Sequence, residues 1–340
     1  MLKCELCEFK SSRNLISHIE SDHAKFKFNG QIGLAAYVMK YNPPDEKVFP
    51  TKKSNLKKLI GIDFPIQKQK CAIVPKINRA YQFTPQMKEI TEDIINNKRV
   101  MLVGHTGCGK SSCIEQLAAH SNNGYIRVNF HHQTTVGDFI GLWTVRGSEM
   151  QWVDGALPFA MKHGYWLMLD EIDFADSAII GALNPVLETN GKLMLKEKGY
   201  EIIEAHPNFR LFSTGNSIGC MQDYRTMYQG TNPLNEAFLD RWHVYRINYM
   251  TPAIERKMLS AYFPDLPKEV AENLVNLANV IRDGFEKEEI NCTFSTRRLI
   301  DWTEKIIRHK DIIRAAEATI FSKVHPSDAE AIKGYFKRAK

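Results

Sequence analysis

Short apolar runs alternate with segments of helical period through the middle of the chain, and helical period alone continues to its end. Arg99–Val103, Tyr125–Phe130, Gly164–Glu171 and Phe209–Asn216 read as short buried strands, and His243–Tyr249 as a fifth. Between them, Ser112–Ala119 and Leu234–Leu239 read as helices. Pro85–Asn97 reads as another, with Thr84 as its N-cap and Pro85 at the first position. Lys192–Leu195 and Tyr200–Ile203 flank the polar Lys196–Gly199 and predict a β-hairpin. Beyond Pro252, apolar faces recur over Ala253–Tyr262, Lys268–Lys287, Thr296–Ile307, Ile312–Phe321 and Ser327–Phe336, which predicts a small α domain. Toward the N-terminus, Asn29–Met39 and Leu56–Ile60 read as short helices, and Pro65, Pro75 and Pro85 mark an irregular approach to an α/β core.

The joints between these elements carry the chemistry. Gly104-His105-Thr106-Gly107-Cys108-Gly109-Lys110-Ser111 joins the first strand to a helix and fits the phosphate-binding pattern G-x-x-x-x-G-K-S, with Ser112 continuing it. Its glycines let backbone N–H groups turn toward a phosphate oxygen, and the helix N-terminus adds its positive end. Lys110 is expected to reach the β- and γ-phosphates of ATP, and Ser111 to bind Mg²⁺. The third strand ends in Asp170-Glu171. Asp170 is expected to orient Mg²⁺ and Glu171 to act on water as a general base, while Asp173 and Asp176 read as helix-start and surface acids. Asn216 closes the fourth strand and is suited to hold the attacking water; its plainer reading is a turn residue. Arg241 precedes the fifth strand, either as an arginine finger acting across a subunit boundary or as a surface partner of Asp240.

Composition changes this picture at one end only. The 340 residues are 44% hydrophobic and 25% charged, with a formal net charge of +6. Thirteen Lys and Arg stand against seven Asp and Glu in the first 70 residues, so the excess lies there, which permits contact with DNA or RNA. Cys4-x2-Cys7-x10-His18-x4-His23 is a tetrahedral donor set for Zn²⁺. No early apolar run reads as a signal peptide and no stretch is long enough to span a bilayer, so a cytoplasmic protein that makes no membrane contact is expected.

The order of phosphate loop, Asp-Glu strand, Asn-ended strand and Arg before the last strand resembles the AAA+ ATPase module. The likeness extends to the MoxR-like branch and, within it, to the ATPase subunits of aerobic cobaltochelatases (CobS). It is carried also by Gly61-Ile62-Asp63, Tyr81-x-Phe83, Arg127-Val128-Asn129, Asp154-Gly155-x-Leu157-Pro158, His206-Pro207-x-Phe209-Arg210 and Asp240-Arg241-Trp242. The first residues resemble a C2H2 zinc finger whose cysteine-to-histidine gap is ten residues instead of twelve. The resemblance implies a parallel sheet, an α-helical lid and a ring, with a hexamer expected. It identifies Arg297 with the lid residue that senses the γ-phosphate. It places a projecting hairpin before the Asn-ended strand and an insertion at Thr135–Asp154, whose Trp143, Arg146, Met150 and Trp152 would face a pore or partner. It further implies a partner carrying a von Willebrand-type metal-ion-adhesion domain, as in metal insertion into a tetrapyrrole.

The organisation expected is a finger over residues 1–28, a basic linker over 29–80, an AAA+ α/β domain over 81–250 and a helical lid over 251–340. The function expected is an ATP-hydrolysing ring motor that remodels a protein partner. The alternatives are an ATPase delivered to nucleic acid by its finger, and a scaffold in which nucleotide only switches assembly.

Overall fold

The structure, a computed structural model, describes residues 2–3, 10–11, 56–67, 71–216 and 232–338. The chain forms two compact units. One comprises Met1–Ile77, Lys88–Leu102 and Ile114–Tyr245, and the other Asn78–Met87, Val103–Cys113 and Arg246–Lys340.

In the first unit, β1 (Leu2–Lys3) pairs antiparallel with β2 (Lys10–Ser11), and β3 (Leu56–Leu59) with β4 (Ile62–Pro65). The helix expected over Leu56–Ile60 is therefore a strand. Ile60 and Gly61 form a two-residue turn with φ of 55° and 84°, the paired left-handed backbone of a type I′ hairpin, and Pro65 ends a strand instead of an irregular stretch. The short helix expected over Asn29–Met39 lies outside the described residues.

The elements that follow are α1 (Met87–Ile95), β5 (Val100–Val103), α2 (Lys110–Ser121), β6 (Tyr125–Asn129), α3 (Val136–Ile140), β7 (Gly141–Arg146), β8 (Glu149–Asp154) and α4 (Ala156–His163). Next come β9 (Trp166–Asp170), α5 (Ser177–Leu187), β10 (Lys192–Leu195), β11 (Glu201–Glu204), β12 (Arg210–Gly215), α6 (Glu236–Leu239) and β13 (His243–Arg246). Helix α1 starts two residues later than its sequence suggests, because the Thr84 carbonyl is occupied in a turn that accepts the Met87 N–H at 3.0 Å.

A five-stranded sheet runs β13-β5-β12-β9-β6. Every residue of β5, β9 and β12 is buried, as expected of central strands covered on both faces. At one edge β6 alternates buried and exposed positions, and at the other β13 is largely exposed. The β12–β9 and β9–β6 pairs are parallel. Parallel neighbours cannot be joined by tight turns, so helices carry the crossovers, and the strands' C-terminal ends lie along one edge of the sheet. At the opposite edge Arg210 is buried among carbonyls, donating to Ile94 at 2.7 Å and to Pro207 and Phe209 at 2.8 Å. It thereby adds a second donor to the Ile94 carbonyl near the C-terminal end of α1, which also accepts the Asn97 N–H at 3.2 Å. Burial and then the charge of Arg99 pull its guanidinium down to about 10.

Two hairpins leave this core. In β7–β8 the turn Gly147-Ser148 has Gly147 at φ 65°, the position where a II′ turn places glycine. In β10–β11, Leu193, Leu195 and Ile203 face inward while Met194 and Ile202 face outward. The second strand starts at Glu201, one residue later than expected, because Tyr200 turns the chain at φ 61°.

In the second unit, α7 (Pro252–Tyr262), α8 (Lys268–Glu286), α9 (Thr296–His309), α10 (Ile312–Thr319) and α11 (Pro326–Arg338) enclose one apolar core. Leu274, Val275, Ala278 and Ile281 form the buried stripe of α8, at the i, i+1, i+4, i+7 spacing of a helix face. Trp302 of α9 is fully buried, stacking on Phe336 at 5.2 Å and meeting Phe294 edge-on at 6.1 Å. Removing a side chain of this size from such a core costs about 3–5 kcal/mol. Tyr81 packs against the same core, so the aromatic pair Tyr81-x-Phe83 anchors the approach segment.

Candidate nucleotide site

Residues 104–109 leave β5 and enter α2 at Lys110, the strand–loop–helix context that the glycine pattern requires. Two glycines are demanded by backbone conformation, Gly107 at φ 71° and Gly109 at φ 96°. Two are demanded by space. A Cβ on Gly104 would lie 2.1 Å from the Ile247 carbonyl oxygen, and one on Gly107 would lie 2.4 Å from Cβ of Ser295. Ser295 is the N-cap of α9, accepting the Arg298 N–H at 3.1 Å, so the loop rests directly against the first turn that carries Arg297. Arg297 itself is exposed.

Lys110 is 8% exposed, and its ammonium donates to the carbonyls of Gly104 at 2.7 Å and His105 at 3.0 Å. A buried ammonium held by its own loop is a cation in store for a ligand richer in negative charge. Cys108 is buried, which pushes its thiol up and makes it inert packing. His105 is held neutral by burial and then by the Lys110 charge, which outweigh the opposing pull of Glu286. Its ring lies parallel to Tyr249 at 6.2 Å and edge-on to Phe285 at 5.5 Å. Ser111 and Ser112 open α2.

The acidic residues belong to the first unit. Asp170 ends β9 and is 3% exposed. The buried Thr214 hydroxyl, on neighbouring β12, donates to one of its oxygens and the Arg127 guanidinium, on β6, donates to the other. Glu171 leaves the strand with φ 57°, a left-handed backbone that costs a non-glycine residue about 1 kcal/mol or more. Its N–H donates to Thr214 Oγ1 at 3.1 Å. Thr214 thus reads as the bond between two consecutive acids. Asp173 is not a surface acid: it is fully buried, and its Oδ2 accepts the Asn216 N–H at 3.0 Å. Its backbone carbonyl accepts the Asn232 N–H at 2.6 Å. It therefore fixes where the Asn-ended strand stops. Asp176 is the expected helix-start residue, capping α5 through the Ser177 N–H at 2.7 Å.

Arg241 donates to Glu188 at 2.8 and 2.7 Å and also to the Ala237 carbonyl. The carboxylate that meets it is therefore Glu188, beyond the end of α5, and not its neighbour Asp240. In the insertion, Trp143 and Trp152 face each other across β7–β8 with rings at 5.7 Å, and Val145 and Met150 stand in solvent. Trp143 donates to the Glu197 carbonyl at 2.9 Å, linking this hairpin to β10–β11; Arg146 ends β7. Cys4, Cys7, His18 and His23 lie outside the described residues. Among the described residues no group of three or more His, Cys, Asp or Glu is placed to hold a metal ion.

Sequence reasoning missed the roles of Thr214 and Arg127; Thr214 carries a signal, a polar side chain inside a strand buried throughout, whereas Arg127 stands at an exposed position of the alternating β6. It also missed Glu255 and Arg282, which form a buried pair at 2.8 Å in the second unit. Arg282 falls on the apolar stripe of α8, where a charge requires a partner.

In the second unit the glycine cradle that side chains would fill and the buried ammonium of Lys110 suit a phosphate group; in the first, the buried carboxylate of Asp170 suits a cation. Sheet, loop and helical region together define an α/β P-loop core of the AAA+ kind with a C-terminal helical region. Residues 99–242 match the AAA domain of the dynein-related subfamily, and residues 255–335 match the CbbQ/NirQ/NorQ C-terminal region. These two segments are similar to AAA+ proteins of the MoxR/CbbQ/NorQ/CobS type. The chain is 29% identical to the aerobic cobaltochelatase subunit CobS of Sinorhizobium sp, over 84% of this chain and 90% of that one. It is 28% identical to the protein NorQ of Paracoccus denitrificans, over 70% of this chain and 84% of that one. It is 26% identical to the von Willebrand factor A domain-containing protein 8 of Mus musculus, over 66% of this chain and 12% of that one. Among the described residues no helix is long and apolar enough to cross a membrane.

Proposed function

We propose that the chain binds and hydrolyses Mg·ATP in a ring, with six subunits expected, and that turnover remodels a protein partner. The observation that carries this reading is the glycine loop with Lys110 folded onto its carbonyls, together with the buried Asp170 beside Glu171. Residues 104–112 hold the phosphates through backbone N–H groups, Lys110 takes the β- and γ-oxygens, and Ser111 with Asp170 holds the metal ion. When bound, Mg²⁺ supplies charge neutralisation on the phosphate oxygens. Glu171 takes a proton from water, with its backbone set by Thr214, and Asn216 orients that water from the end of β12. Arg241 and Arg297 supply further positive charge, Arg241 to the pocket of a neighbouring subunit after release from Glu188.

The partner most compatible with these relatives carries a von Willebrand factor A domain, since one relative is named for that domain and another for a multi-subunit chelatase. Phosphate release by the purified full chain, with Mg·ATP and then with the metal chelated, tests the reading. Release no faster than the protein-free control would end it.

The N-terminal cysteines and histidines support a bound Zn²⁺ through their spacing, with β1 and β2 pairing on either side of Cys4 and Cys7 in sequence. The basic excess in the first 70 residues makes DNA or RNA the second candidate for what this end engages.

A further inference from the structure

The phosphate loop is held from behind by a side chain that lies outside the loop and its helix. Tyr249 donates its hydroxyl to the Thr106 carbonyl at 3.2 Å, and its ring lies parallel to His105. That ring is itself fixed by Arg282, whose guanidinium carbon sits 4.4 Å from the ring centroid. Arg282 cannot drift. Two of its nitrogens donate to Glu255 at 2.8 Å, a third donates to the Phe294 carbonyl at 2.8 Å, and the Glu255 side chain is fully buried. Thr296, the first residue of α9, donates to the same carboxylate at 2.8 Å. One buried acid therefore anchors the support of the loop and the first turn that bears Arg297.

The consequence for the loop follows from peptide geometry. In a trans peptide the carbonyl and the following N–H point in opposite directions. Fixing the Thr106 carbonyl on Tyr249 turns the Gly107 N–H away from Tyr249, and Gly107 at φ 71° continues the turn that brings successive N–H groups to one side. From this we infer that Tyr249 is a positioning residue for phosphate binding, acting through the Thr106–Gly107 peptide and held in place by Arg282. This rests on the proposed nucleotide binding and adds a residue that touches no ligand.

Tyr249→Phe removes the hydroxyl and keeps the ring on Arg282 and His105, so it tests the bond alone. The full chain carrying it is compared with the unchanged chain for Mg·ATP dissociation constant and, without nucleotide, for thermal unfolding midpoint. The expected result is binding weaker by about three- to tenfold, the value of one hydrogen bond, with the midpoint held within a degree or two. Tyr249→Leu, which also removes the ring, is expected to weaken binding further than Tyr249→Phe. Unchanged Mg·ATP affinity in Tyr249→Phe overturns the inference and leaves the nucleotide reading intact. A fall in midpoint that accounts for the lost affinity reduces Tyr249 to packing and overturns it equally. Failure of the unchanged chain to bind Mg·ATP removes both.

Discussion

Thr214 donates its hydroxyl hydrogen to Asp170 while accepting the backbone N–H of Glu171, so one side chain on β12 sets two consecutive acids at the end of β9. Both Thr214 and Asp170 are buried. Thr214→Val keeps the shape and deletes the hydroxyl. It is expected to cost about 1–3 kcal/mol of stability, the penalty for a buried acceptor left without its donor, and to lower phosphate release by about tenfold or more. Urea unfolding and steady-state phosphate assays read the two effects. Wild-type values in both would remove Thr214 from the site.

Glu171→Gln keeps size and hydrogen-bonding capacity and removes the carboxylate proposed as the base. Nucleotide affinity is expected to stay within about twofold, while turnover falls by roughly 10²–10⁴-fold, the usual worth of a positioned base. The two are measured separately, by equilibrium titration and by phosphate release. Near-normal release would exclude Glu171 as the base.

For Arg241 the competing roles separate on mixing. As a surface partner of Glu188 it is worth at most about 1 kcal/mol, because both side chains are substantially exposed. As a finger acting in a neighbour's pocket, its loss costs on the order of 10³-fold or more in turnover. Arg241→Ala subunits retain Lys110, and Lys110→Ala subunits retain Arg241. Each is expected to be inactive alone and to recover part of the activity when mixed, at interfaces where a sound pocket meets a sound guanidinium. Full activity of Arg241→Ala by itself would falsify this.

The zinc proposal is independent of the motor. One Zn²⁺ per chain is expected by metal analysis of the purified protein, dropping to none with Cys4→Ser and Cys7→Ser together, with ATP hydrolysis retained. Retention of the full metal content in the double variant would show that these cysteines are not ligands.

What the sequence made legible was whatever a local rule controls. The strands β5, β9 and β12 announce themselves because burial on both faces demands unbroken apolar runs, and the phosphate loop because its glycines answer to backbone conformation. Leu56–Ile60 misled because Leu56, Leu59 and Ile60 fall at the i, i+3, i+4 spacing of a helix face, in a segment too short for that spacing to decide. Its conformation is decided by the Ile60-Gly61 turn and by pairing with Ile62–Pro65. Asp173 misled because burial of an acid depends on a donor that arrives 43 residues later, the Asn216 N–H. The partners of Thr214, Tyr249 and Arg282 were not legible for the same reason. Each of these residues acts through a partner distant in sequence, at Asp170, Thr106 and Glu255, and no spacing rule reaches that far.

The indole bond from Trp143 to the Glu197 carbonyl does not stand alone. Lys162 of α4 bridges Asp154 at the end of β8 and Glu201 at the start of β11, at 2.8 and 2.9 Å, and Lys198 meets Glu201 at 2.7 Å. Two hairpins separated by half a hundred residues are thereby clamped to each other and to one helix. Mechanically they are one lever with two prongs. A load applied at the tip of either must be resisted by both, and the stiffness of that lever resides in a handful of polar clasps that water and salt can loosen.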